Sequence, residues 1–326
     1  MNNRINIAYC SDSNYLEHVA VSITSIILNN MDHNINFHVF LYDVAPEEQH
    51  KLQKISPSIT IYLISTDELN KYSDLSNNKI KHINRSMYIR LSVPRLLHGK
   101  VDKFIYLDAD TLCFSDLSPI LNINIDSVIC AVTPDSLEKE NMNKNQKRLE
   151  LTSQSYFNSG FLYINVNNWM DFDTENKTNK ILLSAEKKHL IYPDQDALNI
   201  VLQHQVLFID TNWNYLFTWM NDKQKETFFY NKESLPFIIH FTGARKMWYQ
   251  EHKGLAQDIY SFYKHFTPWA NSPLKSYKHK MRVNDYRIYA KLYFKEKQLL
   301  KCSDYFLRYI KLKLFKKLNQ LFNYII

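Results

Sequence analysis

Phe104-Ile105-Tyr106-Leu107-Asp108-Ala109-Asp110 is an apolar run that stops at two carboxylates. The apolar part reads as a buried strand. In an extended chain, side chains two residues apart point to the same face. Asp108 and Asp110 can therefore converge on one cation at the strand's C-terminal end, which is where open α/β sheets place their ligands. A hard divalent ion held by one or two carboxylates commonly completes its shell with phosphate oxygens. The chemistry this spacing offers is a metal-bridged diphosphate. An isolated Asp-x-Asp is equally a common surface turn, so the weight falls on what surrounds it.

Four other segments carry polar groups where a plain core would not want them. Asp12, Asn14 and Tyr15 follow the first strand-like run. Asp12 can accept from a base or ribose, or cap a helix, and Tyr15 can stack on a base. Asn158, Ser159 and Gly160 set small polar groups beside a permissive backbone. Asp194-Gln195-Asp196 opens a helix, where acidic residues also simply suit the dipole. His240 through Lys246 ends a strand with an imidazole, Gly243 and two cations, although a single strand-end histidine is often structural.

Alternating strand and helix patterns position these groups. Strand-like runs cover 5–10, 35–42, 60–64, 103–107, 127–133, 161–166, 206–209 and 237–241. Helical spacing covers 15–28, 46–55, 85–97 with an interruption near Pro94, 136–149, 174–188 and 194–203. This predicts an α/β domain over residues 1–270 with a mixed, mostly parallel sheet. Past Pro268–Pro273 the character changes, and two helices are expected at about 282–296 and 301–323. The second spaces Leu307, Ile310, Leu314, Leu318 and Leu321 by three and four, with Lys311, Lys313, Lys316 and Lys317 among them. A basic amphipathic helix of this kind lies on anionic membrane surfaces. Residues 271–326 are therefore expected to be a membrane-associating tail.

Composition excludes several alternatives. Only four of 326 residues are glycine, so no Gly-rich phosphate cradle is available, and a nucleotide's phosphates must be held by metal and side chains. Four cysteines without a Cys-x-x-Cys pair argue for reduced thiols rather than zinc or a disulfide framework. No signal-peptide pattern opens the chain, and no apolar run approaches a membrane span. The net charge of +7 is uneven: residues 271–326 hold 14 Lys/Arg against 3 Asp/Glu, leaving the rest net acidic. An acidic body argues against nucleic acid as a partner.

Taken in order, Ser11-Asp12-Ser13-Asn14-Tyr15, Tyr88-x-Arg90-Leu91, Tyr106 to Asp110, Tyr156 to Gly160, Asp194 to Asn199 and His240-Phe241-Thr242-Gly243-x-x-Lys246 are similar to the family 8 glycosyltransferases. These are retaining enzymes of the Rossmann-like GT-A fold. They include glycogenin and the lipopolysaccharide core α-glucosyl- and α-galactosyltransferases. The resemblance spans roughly residues 4–250, and the Trp213-Asn214-Tyr215 segment and basic tail are most like the lipopolysaccharide branch. It implies a UDP-glucose or UDP-galactose donor, Mn²⁺ or Mg²⁺, a lipid-linked saccharide acceptor, and a cytoplasmic enzyme peripheral on the inner face of the inner membrane. It implies that Asp108, Asp110 and His240 ligate the metal, and that Asp12, Asn14 and Tyr15 hold uridine. Arg90 and Lys246 would contact the donor, with Gly243 letting the backbone approach the phosphates. Ala109 fills the variable middle position of the metal motif. Asn158, Asp194 and Gln195 would line the sugar and reaction centre. Met247-Trp248-Tyr249 departs from the Pro-Trp-His of many relatives, which bears on acceptor contacts. A self-glucosylating enzyme like glycogenin and a non-catalytic polyanion-binding or membrane-binding protein are the alternatives.

Overall fold

The computed structural model describes residues 4–72, 85–152, 155–184, 190–230 and 235–322. Among these, ten strands are β1 (Ile5–Ser11), β2 (Ile35–Leu41), β3 (Ile59–Leu63), β4 (Lys103–Leu107), β5 (Thr111–Cys113), β6 (Cys130–Pro134), β7 (Phe157–Asn165), β8 (Val206–Phe208), β9 (Tyr215–Leu216) and β10 (Ile238–His240). The α-helices are α1 (Leu16–Asn29), α2 (Pro46–Gln53), α3 (Thr66–Asn70), α4 (Ile89–Leu97), α5 (Lys139–Leu149) and α6 (Val166–Asp171). They continue with α7 (Thr174–Leu183), α8 (Pro193–Val201), α9 (Asp222–Thr227), α10 (Leu255–His265), α11 (Val283–Lys295) and α12 (Leu299–Phe322). The stretch 185–188 of the expected 174–188 helix lies outside the described residues.

Seven strands form one sheet in the order β3-β2-β1-β4-β7-β6-β8. All pairs are parallel except those made by β7, which runs against both β4 and β6. The mixed, mostly parallel sheet expected from the pattern is present. Its strands are near-continuous apolar runs because both faces are covered. Ile5, Ile7 and Tyr9 join one core cluster with Ile105 and Leu107, while Ala8, Phe104 and Tyr106 join the other. That is the two-residue alternation of a strand. Helix α1 adds Leu16, Val19, Ala20, Ile23 and Ile26 to the first cluster at helical spacing, each at most 1% exposed. Each large aliphatic side chain buried this way contributes roughly 1.5–3 kcal/mol.

Strand order reverses between β1 and β4, and such a switch point opens a crevice at the strands' carboxyl ends. Asp12 follows β1 there and Asp108 follows β4. A second, three-stranded sheet, β5-β10-β9, is built on the chain just past Asp110, and its antiparallel register sets His240 opposite Thr111.

Two differences from the sequence pattern bear on the site. Strand β7 begins at Phe157 rather than 161, because Asn158 and Phe157 pair with Thr133 and Pro134 beyond a register break at which β7 carries the extra residues. Helix α4 runs through Pro94 to Leu97. The ring removes one backbone hydrogen bond, but Ile89, Leu91, Val93 and Leu97 are fully buried and hold the helix by packing.

The chain divides into two compact units: residues 1–243 with 262–271, and residues 244–261 with 272–326. The second unit has its own core of Tyr277, Tyr289, Ala290 and Tyr305, against which Tyr249 and Tyr293 pack. Asp285 secures it by accepting from Arg245 Nε at 2.8 Å and from the Arg282 amide at 2.8 Å. No helix among the described residues is long and apolar enough to cross a membrane.

Candidate active site

The β4 strand ends at Leu107, and its pairing with β7 places Gly160 against Asp108, whose amide donates to the Gly160 carbonyl at 2.9 Å. The next turn is held by Thr111, which donates its hydroxyl to the Asp108 carbonyl at 2.8 Å. The Phe241 amide donates to the Asp110 carbonyl at 2.8 Å. Backbone pairing thus brings Asp108, Asp110 and His240 together across 132 residues of sequence. One ligand atom from each lies within 4.8 Å of the others. Ala109, between the carboxylates, is half-buried and packs on the first core cluster.

Two carboxylates and an imidazole suit a divalent ion that also accepts phosphate oxygens. Three observations test the fit. Asp108 spends Oδ1 on Arg90 Nη2 (2.8 Å) and the Tyr106 hydroxyl (3.0 Å), which leaves Oδ2 for another partner. His240 Nε2 faces Asp110 Oδ1 at 3.1 Å, while its Nδ1 faces the Asn214 carbonyl oxygen at 3.1 Å. A ring that donates Nδ1–H to Asn214 turns a lone pair toward a carboxylate, a conflict that a cation removes. Finally, a Cβ on Gly160 would lie 2.2 Å from His240 Cε1 and 2.9 Å from Asp108 Oδ2. Glycine keeps this space open where a strand would otherwise prefer a side chain. The residues fit a divalent cation.

Arg90 is the hub of the site. Its guanidinium is buried and donates to the Ser159 carbonyl and hydroxyl, both at 3.0 Å, besides Asp108. Nε donates to the Met87 carbonyl at 3.1 Å and lies 3.2 Å from Asp194 Oδ2, a charge contact rather than a hydrogen bond. Burial opposes the Arg90 charge, but Asp108, Tyr106 and Asp194 outweigh it and its pKa is raised. Asp194 is itself raised: burial pushes it up, while Arg90 and the amides of Asp194 and Gln195 at the start of α8 pull it down.

Beside the metal ligands lies a second polar cluster. Gln195 Oε1 accepts from the Ser159 amide at 3.0 Å, and its Nε2 donates to the Tyr156 hydroxyl at 3.0 Å and to Asp135 Oδ1 at 3.3 Å. Asn158 donates to the same Asp135 oxygen at 2.8 Å. Tyr156 in turn donates to Asp196, whose fully buried carboxylate takes a two-pronged contact from Arg148 on α5 at 2.7 and 2.9 Å. Arg148→Ala is expected to leave the buried Asp196 carboxylate without its arginine and to destabilise the fold by roughly 1.5–3 kcal/mol, the range for a hydrogen bond to a charged group. Thermal melts beside Arg148→Lys would check this, and an unchanged melting temperature would contradict it.

The loop between β1 and α1 carries the remaining residues of the first unit's edge. Asp12 is buried and folds back on its own loop, accepting the Asn14 amide at 2.9 Å. Tyr15 is the N-cap of α1 and is 38% exposed, with its ring edge-on to His18 at 5.9 Å between centroids. Gly243 has φ +92°, a conformation that favours glycine. Lys246 belongs to the second unit, with its ammonium 5.9 Å from the centre of the Trp248 ring.

Three residues were not singled out from the sequence. Asp135 follows the apolar strand 130–133 much as Asp108 follows β4, so the same signal marks it. Asn214 and Tyr156 sit inside segments used for the resemblance, but an amide and a tyrosine carry no pattern of their own.

The chain matches the sequence model of glycosyl transferase family 8 over residues 6–252. It is 34% identical over 286 residues to the lipopolysaccharide 1,2-glucosyltransferase of Escherichia coli (strain K12), covering 83% of this chain and 79% of that protein. It is 27% identical to the lipopolysaccharide 1,3-galactosyltransferase of Salmonella typhimurium, covering 95% of this chain and 92% of the relative. In fold it is similar to the galactosyltransferase LgtC, solved with donor and acceptor sugar analogues. The TM-score is 0.65 at 18% identity, over 85% of this chain and all of that one. With the family's matched region containing every site residue built above, the chain belongs to glycosyl transferase family 8.

Proposed function

We propose that this glycosyltransferase moves glucose or galactose from a UDP-sugar to a lipopolysaccharide core acceptor, with retention and an α linkage, using Mn²⁺ or Mg²⁺. The observation that carries the reading is the convergence of Asp108, Asp110 and His240 around a space that only glycine at 160 leaves open. The acceptor follows from the relatives named above, which act on lipopolysaccharide.

A bound divalent ion supplies Lewis-acid stabilisation of the departing diphosphate. Asp108, Asp110 and His240 would hold it. Arg90 fixes the Asp108 carboxylate and pairs with Asp194, and it would contact the donor. Asp12, Asn14 and Tyr15 would hold uridine, and Lys246 would add positive charge where charge develops. Double displacement needs a free carboxylate on the far face of the sugar. Asp194 is tied to Arg90, and Gln195 already uses its carbonyl on Ser159 and its amide on Tyr156 and Asp135. The ion pairing of Asp194 and the engaged amide of Gln195 support a front-face substitution. The sugar–phosphate bond breaks, the acceptor oxygen bonds to the same face, and the leaving phosphate takes the acceptor's proton. Transfer to truncated lipopolysaccharide tests this, since an α-configured hexose by NMR is expected and a β product would refute retention.

The C-terminal helix supports a membrane site of action. On α12 Leu307, Leu314, Phe315 and Leu318 are each more than half exposed, and Lys311, Lys313, Lys316 and Lys317 are exposed beside them. Each lysine near an anionic surface is worth about 1 kcal/mol. Reversing all four to glutamate should release the protein from vesicles containing phosphatidylglycerol while UDP release continues. Cosedimentation unchanged by the four reversals would sink the membrane role. Truncation at Pro273 is the poorer test, because it removes Tyr277, Tyr289 and Tyr305 from the second unit's core.

A further inference from the structure

We infer that Asn214 is a positioning residue that fixes which nitrogen of His240 faces the cation site and ties that site to the sugar side through Asn158. The inference rests on the metal-dependent reading above and adds a residue to it.

The argument is one of donors and acceptors. The Asp135 carboxylate accepts from Asn158 Nδ2 at 2.8 Å, so Asn158 Oδ1 must point the other way. There it takes the Gly160 amide at 3.0 Å, which confirms it as an acceptor. Asn214 can meet that oxygen only with its NH₂ group, at 3.1 Å, and the same group donates to the Thr133 hydroxyl at 3.1 Å. The orientation of Asn214 is therefore set, and its carbonyl oxygen must face His240 Nδ1, at 3.1 Å. An amide oxygen only accepts, so Nδ1 carries a proton and Nε2 is left for the metal. Asn214 is 0% exposed and His240 3%, so water does not compete for these positions.

Metal-ligating histidines commonly donate their other ring N–H to such a partner, and losing it costs about 10–100-fold in metal affinity. The second half of the inference is the bridge. Asn214 joins the ring of a metal ligand to Asn158, and through Asp135 to Gln195, so the cation's seat and the sugar's seat share one rigid amide.

The test uses full-length protein labelled with [¹⁵N]histidine and Mn²⁺ titrations followed by electron paramagnetic resonance. In ion-free wild-type protein, a His240 Nδ1–H is expected. Asn214→Ala should weaken Mn²⁺ binding by about 10–100-fold. Asn214→Asp retains an acceptor for Nδ1 but loses the donor to Asn158. It should bind Mn²⁺ with less than the about 10-fold loss that marks a missing partner yet lose kcat with donor KM little changed. Thr133→Val, which takes away only the other NH₂ partner, should leave Mn²⁺ affinity intact. A bare Nδ1 in the wild type, or Asn214→Ala binding Mn²⁺ as tightly as wild type, would overturn the inference. If Asn214→Ala does not fold, the wild-type ring state and Asn214→Asp decide it. Wild-type protein that neither binds Mn²⁺ nor releases UDP would instead refute the proposed function, and the His240 ring state would still be read separately.

Discussion

Gly160→Ala is expected to abolish metal binding and UDP release while leaving the protein folded. The added Cβ would stand 2.2 Å from His240 Cε1 and 2.8 Å from its Nδ1, closer than any real contact. Something has to move, and the surroundings resist. His240 is pinned by Asn214 and paired through β10, while Asp108 is held by Arg90 and Tyr106. Gly160 itself lies in β7, paired across to β4 and β6. Overpacking of this kind costs about 1–3 kcal/mol of stability, which a domain of this size tolerates. Loss of the seated cation removes several kcal/mol of transition-state stabilisation, on the order of a thousandfold in rate. The measurement is UDP release beside Mn²⁺ titration and a thermal melt. Gly160→Ala turning over at wild-type rate would mean that His240 is not seated as described.

The second large effect is at Arg90. Arg90→Met preserves much of the side-chain bulk and removes the charge shared by Asp108 and Asp194. Breaking a buried pair from one side typically costs about 3–5 kcal/mol. The loss should also depend on pH. Burial already raises the Asp194 pKa and Arg90 opposes that rise, so the variant raises it further. A carboxyl whose folded pKa lies above its unfolded value binds protons more readily when folded. Its stability contribution is present below the unfolded pKa and lost as pH rises through the folded one. The stability gap between Arg90→Met and wild type should therefore widen, in urea melts, over the pH range above the usual carboxylate values. A gap that narrows over that range would contradict the assigned charge contacts.

How much of this was legible depends on the kind of signal. Strands β1, β2 and β4 announce themselves because both faces of the sheet are covered and their residues are apolar almost throughout. Asp108 and Asp110 follow from strand geometry. His240 does not: its place beside them is created by the β5–β10 register, which no local spacing encodes, and only the family resemblance marked it. Asn158 was expected in a loop before a strand. It is inside β7 because pairing with β6 resumes beyond a register break in which β7 carries the extra residues, and Gly160 in that strand looks like a breaker until the groups it makes room for are known. Helix α10 escaped the pattern reading altogether. Half of its apolar positions are aromatic, and exposed Phe262 blurs its buried stripe. Asn214 was invisible as a site residue because its role is set by the three acceptors and donors around it.

The most direct measurement is UDP release by purified full-length protein with Mn²⁺ against a panel of UDP-sugars, beside an Asp108→Ala/Asp110→Ala control. Release from one UDP-hexose, lost in the control and with chelator, is the result this account predicts, and it would name the donor. No release from any UDP-sugar, even with rough lipopolysaccharide present, or release that survives loss of both carboxylates, would contradict it.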